Sequence, residues 1–338
     1  MDNFNQKRRK IDVSEPLESE ENFRLTINPI NPKYKILWDL YKKQKACYWV
    51  EEEIPYDKDR DDFETLNKEE QHFIKHILAF FAGSDGIVNF NLRERFLSDI
   101  KVVEAQACYG FQLDMETTHG IVYSKLLENI VKDNKEYTYL LNAIQNIPTI
   151  KKMADWALKW TNGDYPLGQR IIGYAIVEGI FFSGSFASIF WLKKGKKELF
   201  MPGLVKANEF IARDEGMHTN FACLLYGFIQ NRVSEDDVNS MIKESVLINQ
   251  EFLCEAISCK MIGMDQDSMS KYIEYVADRL LIYLNYKKIF NVENPFPFME
   301  TIGLNTRTNY FENRSTDYQK SHTPTNNANW NWKQDDDF

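Results

Sequence analysis

The chain has 338 residues, of which 43% are hydrophobic and 27% charged, a composition typical of a soluble globular protein with a sizeable core. Its formal net charge of −9 disfavours nucleic-acid binding, because contact with phosphates needs a basic face. The five cysteines are scattered without a C-x-x-C pair, so we expect no disulfide framework, no zinc site and a reducing, cytoplasmic compartment.

The two ends of the chain differ from its body in being polar and without sustained apolar periodicity. Residues 1–28 are therefore predicted to be a disordered N-terminal tail, and residues 313–338 a flexible C-terminal tail. The basic run KRRK at 7–10 is either a solvated charged segment or a nuclear-import signal. Residues 29–312 are predicted to form one helical domain.

The body of the chain has the pattern of an all-α protein. Only Pro148, Pro166 and Pro202 lie between residues 56 and 294, and proline is the residue that breaks helix interiors. Apolar residues recur there with the 3.6-residue period of helices, and strands are hard to place. The predicted helices are 33–48, 66–96, 101–131, 136–160, 167–193, 203–231, 235–258 and 267–285.

One predicted helix imitates a membrane span. Between residues 171 and 192, Glu178 is the only charged residue, and the length suits a transmembrane helix. A carboxylate at the middle of the segment and three glycines favour instead the central helix of a soluble bundle. We therefore expect no membrane association.

Two stretches of the sequence repeat one pattern, in which an apolar helix with a lone acid is followed by a Glu-x-x-His helix. The first stretch has Asp85 as the only charge in residues 77–92 and then the pair Glu116 and His119. The second has Glu178 and then the pair Glu215 and His218. Residues three apart on a helix share a face, so each pair offers a carboxylate and an imidazole to one point.

This repeated pattern predicts a dinuclear metal centre. An ionised carboxylate inside an apolar helix is costly unless it is paired, protonated or bound to a cation. A single Glu-x-x-His motif is often accidental, but two lone acids with two such motifs are the ligand set of ferritin-like bundles with carboxylate-bridged metals. Oxygen and imidazole ligands favour iron or manganese. Tyr123 lies one helical turn after His119, where a tyrosine could donate one electron to metals that reduce dioxygen.

Longer strings around these motifs match a known family. The chain resembles the small, radical-generating subunit of class I ribonucleotide reductase, of the eukaryotic or viral type, over about residues 30–320. The strings that carry the resemblance are HFIKHILAFFAGSDGIVN, VEGIFFSGSFASIFWLKK, RDEGMHTNFACL and VENPFPFME.

The resemblance implies a role for each site residue. Asp85 and His119 would bind one iron ion, Glu178 and His218 the other, and Glu116 and Glu215 would bridge the two, with iron favoured over manganese. Tyr123 would carry a stable radical formed with dioxygen. Its apolar pocket would be lined by Phe182, Phe186 and Ile211. The radical would pass along Trp49 and Asp214 and then Tyr318 of the C-terminal tail.

The resemblance also implies partners. The chain would form a homodimer and would supply its radical to a large catalytic subunit that reduces ribonucleotides to deoxyribonucleotides. The C-terminus, NWNWKQDDDF, combines aromatic anchors with acidic residues, as expected of a peptide that docks in a groove. We predict that this tail, with Trp332 and Phe338, binds the large subunit.

Two other functions remain compatible with a helical bundle of this kind. The chain could be a metal-free scaffold that pairs with an active small subunit, although suitable residues fill all the ligand positions. It could also be another di-iron oxidase or an iron-storage protein, since a fold alone does not define a function. Trp49, Tyr318 and the acidic aromatic tail argue against storage, which has no use for them.

Overall fold

The computed structural model describes residues 14–28, 32–162, 164–194, 196, 199–256 and 258–299. These residues form helices and connecting loops, with no β-strand among them. The α-helices are α1 Lys35–Ala46, α2 Asp59–Glu64, α3 Lys68–Asn91, α4 Val103–Ile130, α5 Asn134–Leu141, α6 Ala143–Asn146, α7 Pro148–Asn162, α8 Leu167–Ile176, α9 Ser183–Lys194, α10 Pro202–Tyr226, α11 Glu235–Gln250 and α12 Gln266–Tyr283, with a single turn at Leu97–Asp99. Short 3₁₀ turns are Glu20–Asn22, Glu51–Glu53, Tyr56–Lys58 and Cys259–Ile262.

The predicted all-α fold is confirmed, and seven of the eight predicted helices match helical segments within a few residues. The predicted helix 136–160 is wrong as a single element, because the structure divides it into α5, α6 and α7. Asn142 has non-helical backbone angles between α5 and α6, and Pro148 begins α7. Proline lacks the N–H that a helix interior requires, whereas the first helical position tolerates it.

The predicted N-terminal tail is in part packed against the helical body. Leu17 is fully buried, and its carbonyl accepts a 2.7 Å hydrogen bond from the backbone N–H of Lys101. The buried Glu18 lies 3.5 Å from Arg170, and the buried Glu104 pairs with Arg24. The predicted tail, residues 1–28, therefore includes residues that pack on the body, such as Leu17 and Glu18. Isolated anchoring contacts of this kind leave no apolar periodicity in a sequence.

Three π-helical turns interrupt the helical regularity of the described residues. They are Leu92–Phe96 after α3, Val177–Phe181 between α8 and α9, and Glu251–Ala256 after α11. A π turn inserts one residue and rotates the following face of a helix, and such turns are frequent at functional sites. The middle one carries Glu178, so the lone acid of the second repeat lies where the helix is widened.

The apolar segment that imitates a membrane span is a core element of this bundle. The stretch Leu167–Lys194 is long and apolar enough to cross a membrane, but 83% of its most apolar window is buried inside the protein. This burial is typical of a central helix, because a membrane-spanning helix would present apolar side chains outward.

The start of α10 is fixed by two carboxylates from a distant part of the chain. Asp59 accepts hydrogen bonds from the backbone N–H groups of Gly203, at 2.8 Å, and Leu204, at 2.6 Å. Asp62 accepts one from Met201, whose φ of 41° is left-handed. Carboxylates satisfy the unpaired N–H groups at a helix start and favour its dipole. They thereby fix the helix that carries Glu215 and His218.

Close packing between α7 and α8 leads to a stability prediction. A Cβ atom added at Gly173 would lie 2.8 Å from Cβ of Trp160, which cannot rotate away. We expect Gly173→Ala to lower the free energy of unfolding by about 1–3 kcal/mol, the usual cost of overpacking. Gly110→Ala is the control, because a Cβ there meets nothing within 4 Å and alanine favours a helix by about 1 kcal/mol. Denaturant unfolding of both variants checks this prediction. Equal changes in the free energy of unfolding for Gly173→Ala and Gly110→Ala would contradict it.

Candidate metal centre

The structure brings the six predicted ligand residues together inside the bundle. Each is at most 2% exposed. Their carboxylate and imidazole atoms form two groups, within each of which the atoms lie within 4.8 Å of one another. The first group is Asp85, Glu116 and His119, and the second is Glu116, Glu178, Glu215 and His218. The residues come from α3, α4, the π turn Val177–Phe181 and α10, so four helical segments supply one site.

Glu116 and Glu215 lie between the two histidines. Oε1 of Glu116 is 2.9 Å from Nδ1 of His218, and its Oε2 is 3.4 Å from Nδ1 of His119. Glu215 has the same relation, with Oε1 3.1 Å from His119 and Oε2 3.0 Å from His218. Each of these two carboxylates therefore presents one oxygen to each imidazole, the placement that a bridging ligand requires.

The donor groups fit a pair of divalent cations. Both carboxylate oxygens of Asp85 and one of Glu178 are buried without a hydrogen-bond partner in the described part of the chain. Such groups are costly unless a cation or proton neutralises them. Four carboxylates and two neutral imidazoles carry a formal charge that two divalent ions would balance. Carboxylate oxygens and imidazole nitrogens are common ligands of iron and manganese.

The pKa values of these groups describe how protons occupy the site when no metal does. Burial raises the pKa of Asp85 and of Glu178 well above the ordinary range, and neighbouring carboxylates add to the rise. Burial alone would also raise the pKa of Glu215, but Glu178 and His218 lower it overall. Burial would lower the pKa of His218, yet the charges of Glu215 and Glu116 raise it to about 9.

These shifts give a pH dependence that metal binding should reveal. Protonated His218 stabilises the metal-free fold below its ordinary pKa of 6.5, and this contribution is lost as the pH rises through about 9. Metal binding needs deprotonated ligands. We therefore expect the difference in melting temperature between metal-loaded and metal-free protein to increase from pH 6.5 to 9. Paired thermal scans check this, and a constant or shrinking difference would contradict it.

Two residues that the sequence analysis missed, Gln112 and Tyr174, lie next to the predicted ligand residues. The side-chain amide of Gln112 donates hydrogen bonds to Oε1 of Glu178, at 3.2 Å, and to Oε1 of Glu116, at 3.4 Å. It also donates to the hydroxyl of Tyr174. Both residues are fully buried. Gln112 lies four positions before Glu116 and Tyr174 four before Glu178, so i, i+4 spacing could have identified them.

Trp49 and Asp214 form a hydrogen-bonded connection that ends at the predicted ligand His119. The indole N–H of Trp49 donates to Oδ2 of Asp214 at 2.7 Å, and the same oxygen is 3.2 Å from Nε2 of His119. Arg213 donates to Oδ1 of Asp214 at 2.9 Å. Burial would raise the pKa of Asp214, but the charge of Arg213 and the hydrogen bond from His119 lower it. Asp214 is therefore ionised between the indole and the imidazole.

Tyr123 lies in an apolar cluster beside the predicted ligand residues. Its ring stacks on Phe81, with centroids 4.7 Å apart, and Phe81 also contacts Phe186 at 4.8 Å and Phe182 at 5.7 Å. Ile211, the other predicted pocket residue, is fully buried. Phe81 was missed by the sequence analysis, although it lies one turn before Asp85 on the same helix.

The phenol of Tyr123 is held in its neutral form. Its hydroxyl is buried and has no hydrogen-bond partner among the described residues. Burial raises the pKa of Tyr123 well above its ordinary value, and the charges of Asp85, Glu215 and Glu116 raise it further. Loss of an electron from this ring must therefore be accompanied by loss of the phenol proton.

A groove of about 450 Å³ lies between α3 and α4. Asp85 and Glu116 are among its lining residues, together with exposed residues such as Thr117 and Glu128. Three predicted functional residues, Tyr318, Trp332 and Phe338, lie outside the described residues.

This chain has a buried cluster of four carboxylates and two imidazoles on four helical segments. Such a cluster is characteristic of helical-bundle proteins with carboxylate-bridged dinuclear metal sites. A family model described as "Ribonucleotide reductase, small chain" matches residues 24–295. The chain belongs to this family, as its sequence motifs had predicted.

Individual relatives agree with this assignment. The chain is 51% identical to a ribonucleoside-diphosphate reductase small chain of Arabidopsis thaliana, with 91% of each protein covered. It is 50% identical to the small chain of vaccinia virus (strain Ankara), over 90% of this chain and 94% of the viral one. These identities confirm the predicted eukaryotic or viral type.

Solved structures confirm the fold. The structure of the Rnr4 homodimer from Saccharomyces cerevisiae has a TM-score of 0.77 and 36% identity, and the match covers 91% of this chain and 94% of that one. Dimanganese(II)-NrdF from Streptococcus sanguinis has a TM-score of 0.67 at 17% identity, covering 80% of this chain and 95% of that one. The latter shows a likeness of fold alone.

Proposed function

We propose that the chain is the small subunit of a ribonucleoside-diphosphate reductase and that it stores an oxidising equivalent as a radical on Tyr123. The observation that carries this proposal is a buried, neutral tyrosine beside the six-residue cluster, packed on Phe81 with no hydrogen-bond partner in the described part of the chain. Storage or scaffold functions need no such tyrosine.

The cluster is proposed to hold two iron ions. Asp85 and His119 would hold one ion and Glu178 and His218 the other, and Glu116 and Glu215 would be shared between the two. The presence of Glu116 in both ligand groups supports this division, as does the position of Glu215 between the two imidazoles. When bound, the metal pair supplies the chemistry that reduces dioxygen and leaves an oxidising equivalent for Tyr123. Manganese suits the same donors and is the alternative.

In this reaction the residues of the chain must release one electron and one proton from Tyr123 and protect the oxidised ring. The rings of Phe81, Phe182 and Phe186 exclude water from Tyr123, which protects an oxidised ring from reduction. Among the carboxylates, Asp85 is the one whose charge raises the pKa of Tyr123 most, which makes it the candidate to receive the phenol proton. Gln112 keeps the carboxylates of Glu116 and Glu178 in place.

Metal analysis and the radical spectrum of one reconstituted sample test this proposal. Protein loaded with ferrous iron and exposed to air should contain two iron ions per chain and show a tyrosyl signal by electron paramagnetic resonance. A parallel sample loaded with manganese separates the two metals. A protein that binds no metal would instead be a scaffold, and metal without any radical would favour storage or another oxidase.

The stored equivalent is proposed to leave the site through Asp214 and Trp49 toward a large catalytic subunit. Their hydrogen bonds connect His119 with the indole of Trp49 without a gap. Tyr318 then carries the radical across the subunit boundary. We further propose that the protein forms a homodimer, which the homodimeric yeast relative supports, and that it is cytoplasmic.

The C-terminal tail is proposed to bind the large subunit. Its aromatic residues Trp332 and Phe338 flank an acidic run, so apolar anchors alternate with charge. We expect deletion of residues 332–338 to abolish ribonucleotide reduction by the mixed subunits while the radical signal stays intact. A synthetic peptide of the same residues should inhibit the full-length protein. Full activity after the deletion would contradict this role of the tail.

A further inference from the structure

Two histidines lie side by side on α3, apart from the predicted metal ligands. His72 and His76 are four positions apart, and their ring centroids are 3.8 Å apart. Side chains at this spacing project from the same face of a helix. Of the other histidines in the chain, His119 and His218 belong to the six-residue cluster, and His322 lies outside the described residues. The pair on α3 therefore has no part in the proposed function.

This pair is separate from the dinuclear centre, although α3 carries residues of both. Asp85 follows His76 by nine positions in the same helix. At a rise of about 1.5 Å per residue, nine positions correspond to about 14 Å along the helix axis. One metal ion cannot bridge that distance, so an ion bound by the two histidines would be distinct from those of the six-residue cluster.

A backbone hydrogen bond determines which nitrogen of His76 carries the proton. Nδ1 of His76 is 2.8 Å from the carbonyl oxygen of His72. A carbonyl oxygen can only accept, so Nδ1 donates, and the lone pair of the neutral ring is on Nε2. Nε2 has no hydrogen-bond partner among the described residues and is accessible to solvent. Histidines that bind metals commonly donate their other N–H to a backbone carbonyl in this way.

The surroundings of the pair also suit a cation. His72 is exposed to solvent, and burial lowers the pKa of His76, which favours the neutral ring that a metal requires. Lys75 lies between the two histidines in the sequence, but its ammonium pairs with the carboxylate of Glu136 on α5 at 2.7 Å. The exposed Glu69 precedes His72 by one helical turn. The positive charge of Lys75 is thus balanced, and a further carboxylate shares the face of the helix.

We propose that His72 and His76 form a surface site for one divalent transition-metal ion of the nickel(II), copper(II) or zinc(II) type. Nε2 of His76 and a ring nitrogen of His72 bind the ion, and water completes its coordination. Imidazole nitrogen is a ligand that these ions favour, and two histidines four positions apart on one helical face recur in metal sites. A site of this kind needs no cysteine, so it is compatible with the scattered thiols of the chain.

Calorimetric titration with nickel chloride tests the site on the full-length protein after its dinuclear centre has been loaded with iron in air. Prior loading keeps nickel out of the six-residue cluster. We expect one nickel ion per chain in addition to the iron, with the iron content unchanged. His72→Gln and His76→Gln should each weaken nickel binding by at least about 10-fold, since even the loss of a hydrogen-bond partner behind a ligand costs that much. His322→Gln is the control and should bind nickel as the wild type does.

A double variant shows whether the two rings bind one ion together. If they do, His72→Gln and His76→Gln each fall to the nickel affinity of the variant that carries both substitutions. If each single variant instead keeps one site of wild-type affinity, the histidines bind separately and the proposal is overturned. Nickel binding by the wild type that is no stronger than that of the double variant would also overturn it. His72→Gln replaces an exposed side chain, so it carries the test even if His76→Gln disturbs the fold.

Discussion

Replacing Tyr123 with phenylalanine is expected to abolish the tyrosyl radical while leaving the fold and two bound metal ions unchanged. The hydroxyl of Tyr123 is buried and without a hydrogen-bond partner among the described residues, so its removal leaves no other polar group unsatisfied. Phenylalanine keeps the stacking on Phe81. It cannot lose a phenol proton, however, and therefore cannot form the neutral radical. Electron paramagnetic resonance and metal analysis of one reconstituted sample measure both effects.

Tyr109 provides a matched control for this variant. It is also fully buried, its hydroxyl likewise has no hydrogen-bond partner in the described part of the chain, and its ring stacks on Phe96 with centroids 5.2 Å apart. Tyr109→Phe should keep both the radical and the metal. If the radical persisted in Tyr123→Phe but disappeared in Tyr109→Phe, it would reside on Tyr109, and the assignment to Tyr123 would be refuted.

Spacing along helices made the ligand cluster predictable. The lone acids Asp85 and Glu178 were conspicuous because a charge inside an apolar helix carries a large desolvation cost, and the i, i+3 pairs fixed two shared faces. Both signals are local, and four helical segments needed only to pack with those faces inward. Gln112 and Tyr174 carried an equally local i, i+4 signal that was not used.

Contacts between distant residues had no signal of this kind. Trp49 and Asp214 are 165 positions apart, and only the family resemblance related them before the structure gave their hydrogen bond. The sequence also contained no sign of the π turn around Glu178. A π turn inserts one residue into the helical period, but the residues on both sides of Glu178 are almost all apolar, so the apolar pattern does not change at the insertion. The burial of Leu17 depends on one side chain entering a core built by later helices.

Trp49→Phe is expected to separate radical storage from its use. The substitution keeps an aromatic ring against Phe210 and His119 but removes the N–H that donates to Asp214 at 2.7 Å. Because Asp214 and the six ligands remain, metal content and the radical of Tyr123 should not change. Ribonucleotide reduction with the large subunit should fall by about 10²-fold or more, the usual effect of removing a proton-transfer partner. Radical yield and turnover measured on the same preparation check this.

Trp156→Phe is the control that isolates the hydrogen bond. Trp156 is buried to the same degree as Trp49 and packs on Phe181, but its indole N–H has no partner among the described residues. Its replacement removes a similar volume without breaking a hydrogen bond, so turnover should stay near that of the wild type. Unchanged turnover in Trp49→Phe would exclude the indole from radical transfer. If both variants lost turnover equally, packing rather than the hydrogen bond to Asp214 would be the cause. Loss in Trp49→Phe alone would therefore identify the link from His119 through Asp214 as the route by which the stored radical leaves the subunit.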